Sequence, residues 1–466
     1  MNIGAVRSRT VLKNQAKDLL HQLKSKRMDA ILFWNSVTLQ ACANDYDTSI
    51  ASSPDQVGPA TTSRAFAIIH GAMYEAMNAF EQKYKPMFKP NNMPATNNIP
   101  QAAAIDAAIT EAAYQTLYAM YPKQRELFDE VREGFIEVIE NDTPGKAGIN
   151  RGIRIGRLFA DAILLSRNFD NSQRNVNYTP IMEPGYHQRD PTHPNQGFLS
   201  PQWGSVTPFV IESGSQFRAS NIVGDTVPKR RQYLDSEKYV NDYDELVSLG
   251  SRTSQDRTVD QTEIGIFWGY DAAPKLGVPP RLYNQIVRVI AIQKNKKLEE
   301  NARLFALVNY AMADAGISAW ETKYYYGFWR PVYGIRQGTR RTPAIPSWLP
   351  LGASADGTGD NFTPPFPSYV SGHSTFGSAT FEMLRLFYKT DQVHFEFQSD
   401  EYNGITKDSI TGLVRPARTR QYQSFSQAED ENYRSRIYLG VHWPTDQEEG
   451  KIMGRNIASY IFKKMA

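Results

Sequence analysis

Three segments in the last third of the chain carry cationic and hydroxyl side chains at close spacing. Lysine offers a mobile point charge, and arginine offers a rigid fork of donors that matches the oxygens of an oxyanion. The set predicts a site for a tetrahedral or trigonal-bipyramidal oxyanion, such as phosphate or vanadate. Its members are Lys323 with Arg330 and Pro331, the run Ser371, Gly372, His373 and Ser374, and Ser435 and Arg436 followed by His442 and Asp446.

The run that contains His373 is predicted to lie where a loop enters a helix. Amides at the start of a helix point outward without partners and favour an anion, and Gly372 permits close approach of the backbone. His373 would then stand beside the anion, where it could give or take a proton. Taken alone, the same run is better explained as a serine N-cap beside an incidental histidine.

The two flanking segments have a structural explanation beside the chemical one. Helical spacing predicts that Lys323 and Arg330 share one helix face and that Pro331 ends this helix. Pro444 disfavours helix at the residue before it, so His442 is expected in a break between two helices. A neutral imidazole there could bond a metal-oxo centre or attack a phosphate. Each segment alone also fits a solvated or capping role, but the three together favour an anion site.

Helical patterns surround these segments, and little strand pattern is present. The apolar, alanine-rich run 65–80 predicts a buried helix. We predict an all-α fold with two helical bundles, residues 1–170 and 237–466, joined by a loop-rich connector over 171–236 that is dominated by Pro, Gly, Asn, Asp and Gln. Further helices are predicted over 102–121, 123–140, 145–166, 281–318 (as one helix or two), 374–389 and 444–464.

Composition limits the class of protein. A chain of 466 residues with 41% hydrophobic content exceeds the usual size of one core. A net charge of only +3, with both signs interspersed, argues against nucleic acid as a partner. The single cysteine, Cys42, excludes an intrachain disulfide. No apolar run approaches the ~20 residues of a membrane helix, and residues 1–26 lack a signal-peptide core. A soluble protein is expected, with its compartment and oligomeric state left open.

Taken in order, Lys-x6-Arg-Pro, Ser-Gly-His and Ser-Arg-x5-His resemble the superfamily that joins vanadium-dependent haloperoxidases with type 2 phosphatidic-acid and class A acid phosphatases. The resemblance implies an all-α haloperoxidase-like fold, vanadate as cofactor, and hydrogen peroxide, a halide and a small organic acceptor as reactants. It covers most of the second half of the chain and parts of the first. Stretches similar to the chloroperoxidase branch are 267–271, 279–285, 348–352, 364–367 and 438–443.

The resemblance also implies a role for each matching residue. His442 would bond vanadium through a ring nitrogen, and His373 would be the acid–base partner of the apical oxygen. Asp271 would pair with a cationic ligand, Arg436, while Trp320 and Phe366 would border the halide. With His373 and His442, Lys323 would be catalytic, because it polarises the peroxide. The vanadate oxygens would be held by Lys323, Arg330, Ser371, Gly372 and Arg436.

Two positions depart from the family pattern. Val370 stands where a proline usually precedes Ser-Gly-His, and Ser374 stands where the fungal chloroperoxidases have alanine. Phe366 matches the chloroperoxidase pattern, yet the choice among bromide, chloride and iodide stays open. Two other functions are weighed against haloperoxidase: an acid phosphatase that forms a phosphohistidine at His442, and a helical protein that only binds phosphate. The pair His373 and His442 argues against a protein that only binds phosphate, because passive binding needs no proton shuttle.

Overall fold

Helices form nearly all of the regular structure in the computed structural model, which describes residues 3–26, 28–90, 93, 96, 101–142, 146–353, 362–408 and 411–465. Within these residues the one sheet has two short antiparallel strands, β1 (Phe395–Gln398) and β2 (Thr419–Tyr422). The helices are α1 (Ile3–Lys26), α2 (Ala30–Asp45), α3 (Gly58–Glu81), α4 (Gln101–Met120), α5 (Arg125–Asp142), α6 (Lys146–Ser166), α7 (Val227–Leu234), α8 (Glu237–Leu249), α9 (Val259–Phe267), α10 (Pro279–Lys294), α11 (Leu298–Tyr326), α12 (Pro331–Gln337), α13 (Gly372–Tyr388), α14 (Phe425–Tyr438) and α15 (Pro444–Lys464).

The helices group into two bundles around one apolar core. In the first bundle α4 packs along α6, and α3 lies against both. In the second, α13 packs on α15, and α11 contacts both of them. Because α3 and α11 also pack against each other, buried side chains run without a break from one bundle into the other. The prediction of an all-α fold with two helical bundles is confirmed.

Close contact between α13 and α15 brings two of the predicted motifs together. Gly454 of α15 faces the first turns of α13, where an added Cβ would lie 2.3 Å from the carbonyl oxygen of Thr375. An added Cβ at Gly450 would lie 2.9 Å from the carbonyl oxygen of Ser371. The helix axes can approach this closely only because these positions carry no side chain. The start of α13 therefore lies beside the start of α15.

The prediction that Lys323 and Arg330 share one helix is wrong. Helix α11 ends at Tyr326, because Gly327 adopts a left-handed conformation with φ of 58°. Arg330 is extended, with φ of −81° and ψ of 155°, and is the N-cap of α12. Pro331 is the first residue of that helix and does not end one, in line with the preference of proline for the N1 position. The two cations therefore reach the site from different elements.

The connector also departs from its prediction, because residues 227–234 form α7. Its irregular part is tied to α11 by Asp314, which accepts hydrogen bonds from the amides of Phe209 (2.7 Å), Val210 (2.8 Å) and Ile211 (2.9 Å). The predicted helix over 281–318 is two helices, since Asn295 has a left-handed φ of 44°. The predicted start at Gly145 lies outside the described residues. None of the described helices has both the length and the hydropathy for a membrane span.

Candidate active site

Three buried cations from different elements converge on one point. Lys323 lies in the last turn of α11, Arg330 caps α12, and Arg436 lies in the last turn of α14. Their exposures are 0%, 2% and 0%. The ammonium of Lys323 donates to the carbonyl oxygens of Pro367 (3.0 Å) and Ser368 (3.1 Å). Three positive charges without bulk water repel one another, so the arrangement favours a negatively charged ligand.

Each guanidinium is fixed by specific acceptors. Arg330 donates from Nε to the carbonyl oxygen of Phe366 (2.9 Å) and from Nη1 to that of Val441 (2.7 Å). Arg436 donates from both terminal nitrogens to the carboxylate of Asp271, with both distances 2.8 Å. Arg330 Nη2 and Arg436 Nε are buried and have no hydrogen-bond partner among the described residues. These two nitrogens are donors for an acceptor that the protein itself does not supply.

The imidazole of His442 is held in one tautomer. Its Nδ1 lies 3.0 Å from Oδ2 of Asp446, and its Nε2 lies 2.9 Å from Nη1 of Arg330. The same carboxylate oxygen accepts from the hydroxyl of Ser368 and from the amide of Trp443 (2.9 Å), so it acts as an acceptor. Nδ1 therefore carries the proton, and Nε2 presents a lone pair on the side of the cations. A lone pair on a fixed imidazole is what a metal-oxo centre or a phosphorus atom requires.

Burial shifts the ionisation of these groups in the directions expected for a site without a bound anion. Burial, followed by the charges of Arg330 and Lys323, holds the pKa of His442 well below its ordinary value. Burial and then the neighbouring Arg330 lower the pKa of Lys323 far below the lysine range. Burial raises the pKa of Asp446 to about 7. A bound anion would reverse the shift of Lys323, because it stabilises the charged ammonium.

His373 is the second titratable ring of the site. It is the second residue of α13, and its Nε2 lies 2.7 Å from the carbonyl oxygen of Gly269. A carbonyl can only accept, so Nε2 carries the proton and Nδ1 keeps a lone pair. Burial, followed by the charge of Arg436, lowers the pKa of His373 to about 3. The ring is thus neutral near pH 7 and is able to accept a proton at Nδ1.

The start of α13 supplies backbone and hydroxyl groups. The hydroxyl of Ser371 caps the helix by accepting from the amide of Ser374 (3.3 Å) and, as an acceptor, keeps its own proton for donation. Gly372 lies at the first position of the helix, where amides have no intrahelical acceptor. Ser374 donates to the carbonyl oxygen of Gln447 (2.7 Å), so its hydroxyl ties α13 to α15. The ammonium of Lys323 also donates a hydrogen bond to the carbonyl oxygen of Val370.

An apolar cavity of about 70 Å³ opens onto these polar groups. Asp271, His373, Arg436 and His442 line one side, and the rest is mostly aromatic, aliphatic and proline side chains. The rings of Trp320 and Phe366 lie 4.8 Å apart on its wall. The ammonium of Lys323 lies 5.0 Å from the centre of the Phe366 ring. An ion or molecule in the cavity would meet an apolar corner on one side and fixed positive charge on the other.

The cavity continues outward into a wider vestibule of about 750 Å³. Gly58, Leu199, Ala272, Phe362 and Pro365 line both spaces. The vestibule also takes residues from the N-terminal bundle, so both bundles form the entrance. The site is therefore buried but open to molecules larger than water.

The structure brings together the residues to which the resemblance gave roles, but the hydroxyl of Ser435 donates to the carbonyl oxygen of Asn432 (2.6 Å) within its own helix. It also adds residues that the motifs did not contain. Ser368 contacts both the ammonium of Lys323, through its carbonyl oxygen, and Asp446, through its hydroxyl. The carbonyl of Gly269 fixes the tautomer of His373, and Tyr283 and Asn432 both donate to the carbonyl oxygen of His373. Backbone acceptors carry no sequence signal. The stretch 267–271 was marked only by its resemblance to chloroperoxidases.

The fold and the donor set define a class before any comparison: a two-bundle helical protein with a buried, cation-lined oxyanion site. No group of three His, Cys, Asp or Glu side chains suited to a metal cation occurs in the described part of the chain. The unpartnered nitrogens of Arg330 and Arg436, together with the lone pair of His442, fit an oxyanion whose central atom accepts a nitrogen ligand. Both phosphate and vanadate meet that description.

Comparison with known proteins supplies the family. Residues 25–199 match the model of the vanadium chloroperoxidase N-terminal domain, and residues 303–466 match that of the second helical-bundle domain. The chain is 30% identical over 486 aligned positions to vanadium chloroperoxidase from Curvularia inaequalis, covering 89% of this chain and 78% of that protein. The chain belongs to the vanadium chloroperoxidase family.

Solved structures agree on the fold. The bacterial vanadium-dependent iodoperoxidase superimposes with a TM-score of 0.73 at 24% identity, covering 93% of this chain and 97% of that one. An apo-type bacterial vanadium-dependent chloroperoxidase gives a TM-score of 0.64 at 15% identity, covering 87% and 94%. At these identities the likeness concerns the fold, and the site must be argued from its own residues.

Proposed function

We propose that this protein is a vanadate-dependent haloperoxidase that oxidises a halide with hydrogen peroxide, and bromide is the halide to test first. Vanadate is its cofactor. In the overall reaction hydrogen peroxide, bromide and a proton give hypobromous acid and water. The O–O bond breaks, and bromide loses the two electrons that reduce peroxide. The proposal rests on the lone pair of His442 Nε2, set among three buried basic side chains, two of which, Arg330 and Arg436, have an unpartnered donor nitrogen.

The residues that would hold vanadate follow from the donor set. His442 would bond the metal through Nε2, because Nδ1 donates its proton to Asp446 and Nε2 carries the lone pair, which faces Nη1 of Arg330. Lys323, Arg330 and Arg436 would neutralise the charge of the oxygens. Donors for the remaining oxygens would be the hydroxyl of Ser371 and the amide of Gly372. Bound vanadate supplies a Lewis acid that stays in its +5 state and activates peroxide for attack.

His373 is suited to move the proton. Peroxide must lose protons to react, and water formed from it must gain them. The lone pair at Nδ1 of His373 accepts a proton, while the bond from Nε2 to Gly269 keeps the ring aimed at the cavity. Burial and the charge of Arg436 hold its pKa low, so the ring is neutral near pH 7, and an anion bound beside it would raise this pKa and make Nδ1 a stronger base. Asp271 holds Arg436 next to this ring and so keeps a positive charge where negative charge develops.

The corner formed by Trp320 and Phe366 is suited to a polarisable halide. A large, weakly hydrated anion tolerates an apolar wall, and the nearby ammonium of Lys323 attracts it. A phosphate ester would instead place a polar leaving group against these rings. The same corner therefore favours halide oxidation over a phosphatase that forms a phosphohistidine at His442.

The test is bromination of a small dione by purified, chelator-stripped protein with hydrogen peroxide and bromide, with and without orthovanadate. Chloride and iodide run in parallel and rank the halides, and excess phosphate competes with vanadate. We expect bromination that appears only with vanadate and falls with phosphate. His193→Ala is the matched control, because His193 lies in the vestibule wall and not at the anion site. Absence of halide oxidation, together with rapid vanadate-inhibited hydrolysis of phosphate esters, would instead establish a phosphatase.

A further inference from the structure

A second, much smaller cavity lies behind Arg330. Its volume is about 10 Å³, close to the room that one water molecule or one monatomic ion needs. Arg330 lines it together with His187, Asp190 and Thr363. The prolines at 364 and 365 line both this cavity and the apolar one and thus form the wall between them. The small cavity is therefore a separate space next to the active site.

The connector positions His187 in this cavity through backbone pairing. Tyr186 and Phe328 form an antiparallel bridge, and the amide of His187 donates to the carbonyl oxygen of Gly327 (2.8 Å). This pairing runs beside the segment that leads into Arg330. The ring of His187 packs against Phe198, with centroids 5.5 Å apart, so its plane is held from one side. The histidine is thus fixed by its surroundings although it belongs to the irregular connector.

Neither ring nitrogen of His187 has a hydrogen-bond partner among the described residues, and the same is true of the hydroxyl oxygen of Thr363. The two residues are 3% and 2% exposed. Buried polar atoms are nearly always hydrogen-bonded, because an unpaired one destabilises the fold by about 1–3 kcal/mol. Two such residues that line one small space indicate that the space binds a polar ligand.

The charges around the cavity select the sign of that ligand. Arg330 lines the cavity, and both Arg330 and Lys323 act, after burial, to lower the pKa of His187. The potential at the ring is therefore positive. Asp190 is the carboxylate that faces the space, and its oxygens already accept from the amides of Thr363 (3.1 Å) and Thr192 (2.8 Å). Hydroxyl and imidazole groups at the positive potential of a neighbouring guanidinium fit an anion better than a cation.

We propose that this cavity binds a single halide ion, held by His187 and the hydroxyl of Thr363 and attracted by the charge of Arg330. The cavity is too small for a polyatomic oxyanion with its own contacts, and the positive potential favours a halide ion over the water molecule that the same volume would hold. The relevance of halide rests on the proposed function, in which halide is a substrate. The site is distinct from the corner of Trp320 and Phe366, because it lies on the other side of the proline wall.

The small cavity borders an outer groove at the surface. Gln188, Arg189 and Gly197 line both the small cavity and an outer groove of about 640 Å³. Arg189 is exposed, so its charge attracts anions to the mouth. A halide can therefore reach His187 without crossing the apolar cavity that would receive the organic acceptor.

The test is anomalous diffraction from vanadate-free crystals soaked in a series of bromide concentrations. We expect a bromide peak within hydrogen-bond distance of His187 and Thr363 whose occupancy saturates. In His187→Phe and in the milder Thr363→Val the peak should be lost or its half-saturating concentration should rise about tenfold, as for one lost hydrogen bond to an ion. His187→Gln keeps a donor and should retain the peak, as should the control His193→Ala.

The outcomes separate this site from the proposed function. The absence of a peak in the wild-type cavity would overturn the proposal. A peak that is unchanged in both His187→Phe and Thr363→Val would also overturn it, because such a peak marks an adventitious ion only. Thr363→Val keeps the test valid if His187→Phe fails to fold, which melting curves would reveal. A bromide peak in vanadate-free crystals of a protein that never brominates would refute the proposed function and leave this site standing.

Discussion

His70 in the first bundle and His442 in the second are both buried and both have a lowered pKa, yet their surroundings differ. The Nδ1 of His70 lies 2.9 Å from the carbonyl oxygen of Phe66, and its Nε2 lies 3.1 Å from the side-chain nitrogen Nδ2 of Asn35. No charge acts on its pKa, which burial lowers to about 4. His442 has a partner on each nitrogen too, but one of them is a guanidinium with a spare donor.

These surroundings distinguish a histidine that stabilises a core from a histidine that binds a ligand. Around His70 neutral amides satisfy the ring, and Phe305 stacks on it with centroids 5.6 Å apart. Around His442 three buried basic side chains face two carboxylates, so the site has one positive charge in excess when all five groups are ionised. Burying an excess of positive charge is unfavourable unless a negatively charged ligand binds and neutralises it. Low exposure alone therefore does not identify a functional histidine, whereas unmatched charge and unpartnered donors do.

The largest expected effect comes from His442→Ala. The variant loses the nitrogen ligand and should lose vanadate binding, with bromination reduced by more than ~100-fold, since even supporting residues around a metal contribute 10–100-fold. Calorimetric titration with orthovanadate measures the binding. His70→Gln is the contrasting variant: it should lower the free energy of unfolding by about 1–3 kcal/mol and leave vanadate affinity unchanged. Unaltered vanadate-dependent activity in His442→Ala would refute the assignment.

His373→Ala should separate turnover from binding. Loss of a positioned acid–base group lowers turnover by about 10²–10⁴-fold. Vanadate affinity should change much less, because the three cations and His442 stay in place. Steady-state bromination and the vanadate titration are measured on the same preparation. Parallel losses of affinity and turnover would mean that His373 holds the cofactor and does not move the proton.

A pH series distinguishes the core histidine from the site. The pKa of His70 falls from 6.5 to about 4 on folding, so its contribution to stability is complete above pH 6.5 and is lost as the pH falls toward 4. The wild type should therefore lose about 3 kcal/mol more unfolding free energy over that window than His70→Gln, which cannot titrate there. Urea unfolding between pH 4 and 7 measures the difference. Parallel curves for the two proteins would contradict the buried, neutral ring.

Asp271→Asn should produce the smallest of these effects. The amide cannot match both nitrogens of Arg436, so the guanidinium loses its fixed orientation and vanadate affinity should fall by about 10–100-fold. Asp260→Asn is the matched control, since Asp260 pairs with Arg420 at the surface and its side chain is 65% exposed. Equal affinities for the two variants would show that Arg436 needs no anchor.

Much of the fold could be predicted from local patterns. The apolar, alanine-rich run 65–80 indicates a buried helix, and α3 spans residues 58–81. Pro444 indicated the break that holds His442, and α15 starts at that proline. The seven-residue spacing of Lys323 and Arg330 suggests a shared helix face, but Gly327 lies between them and ends α11. Proline at the start of a helix and proline after its end look alike in one sequence.

The arrangement of the site depends on contacts between distant parts of the chain, which spacing does not contain. The carbonyl of Gly269 that orients His373 is 104 residues away in the sequence. The resemblance to a family marked Asp271, but no local pattern pairs it with Arg436, which lies 165 residues further on. His187 carried no signal either, because its role depends on the space between the connector and the second bundle.

A stoichiometric titration tests the central claim most directly. Chelator-stripped protein of known concentration receives orthovanadate in steps, and bromination is measured with saturating peroxide and bromide after each step. We expect no activity at the start, a linear rise, and saturation near one vanadate per chain. Full activity before vanadate is added, or activity that never responds to it, would contradict the assignment of the buried cations and His442 to an oxyanion cofactor.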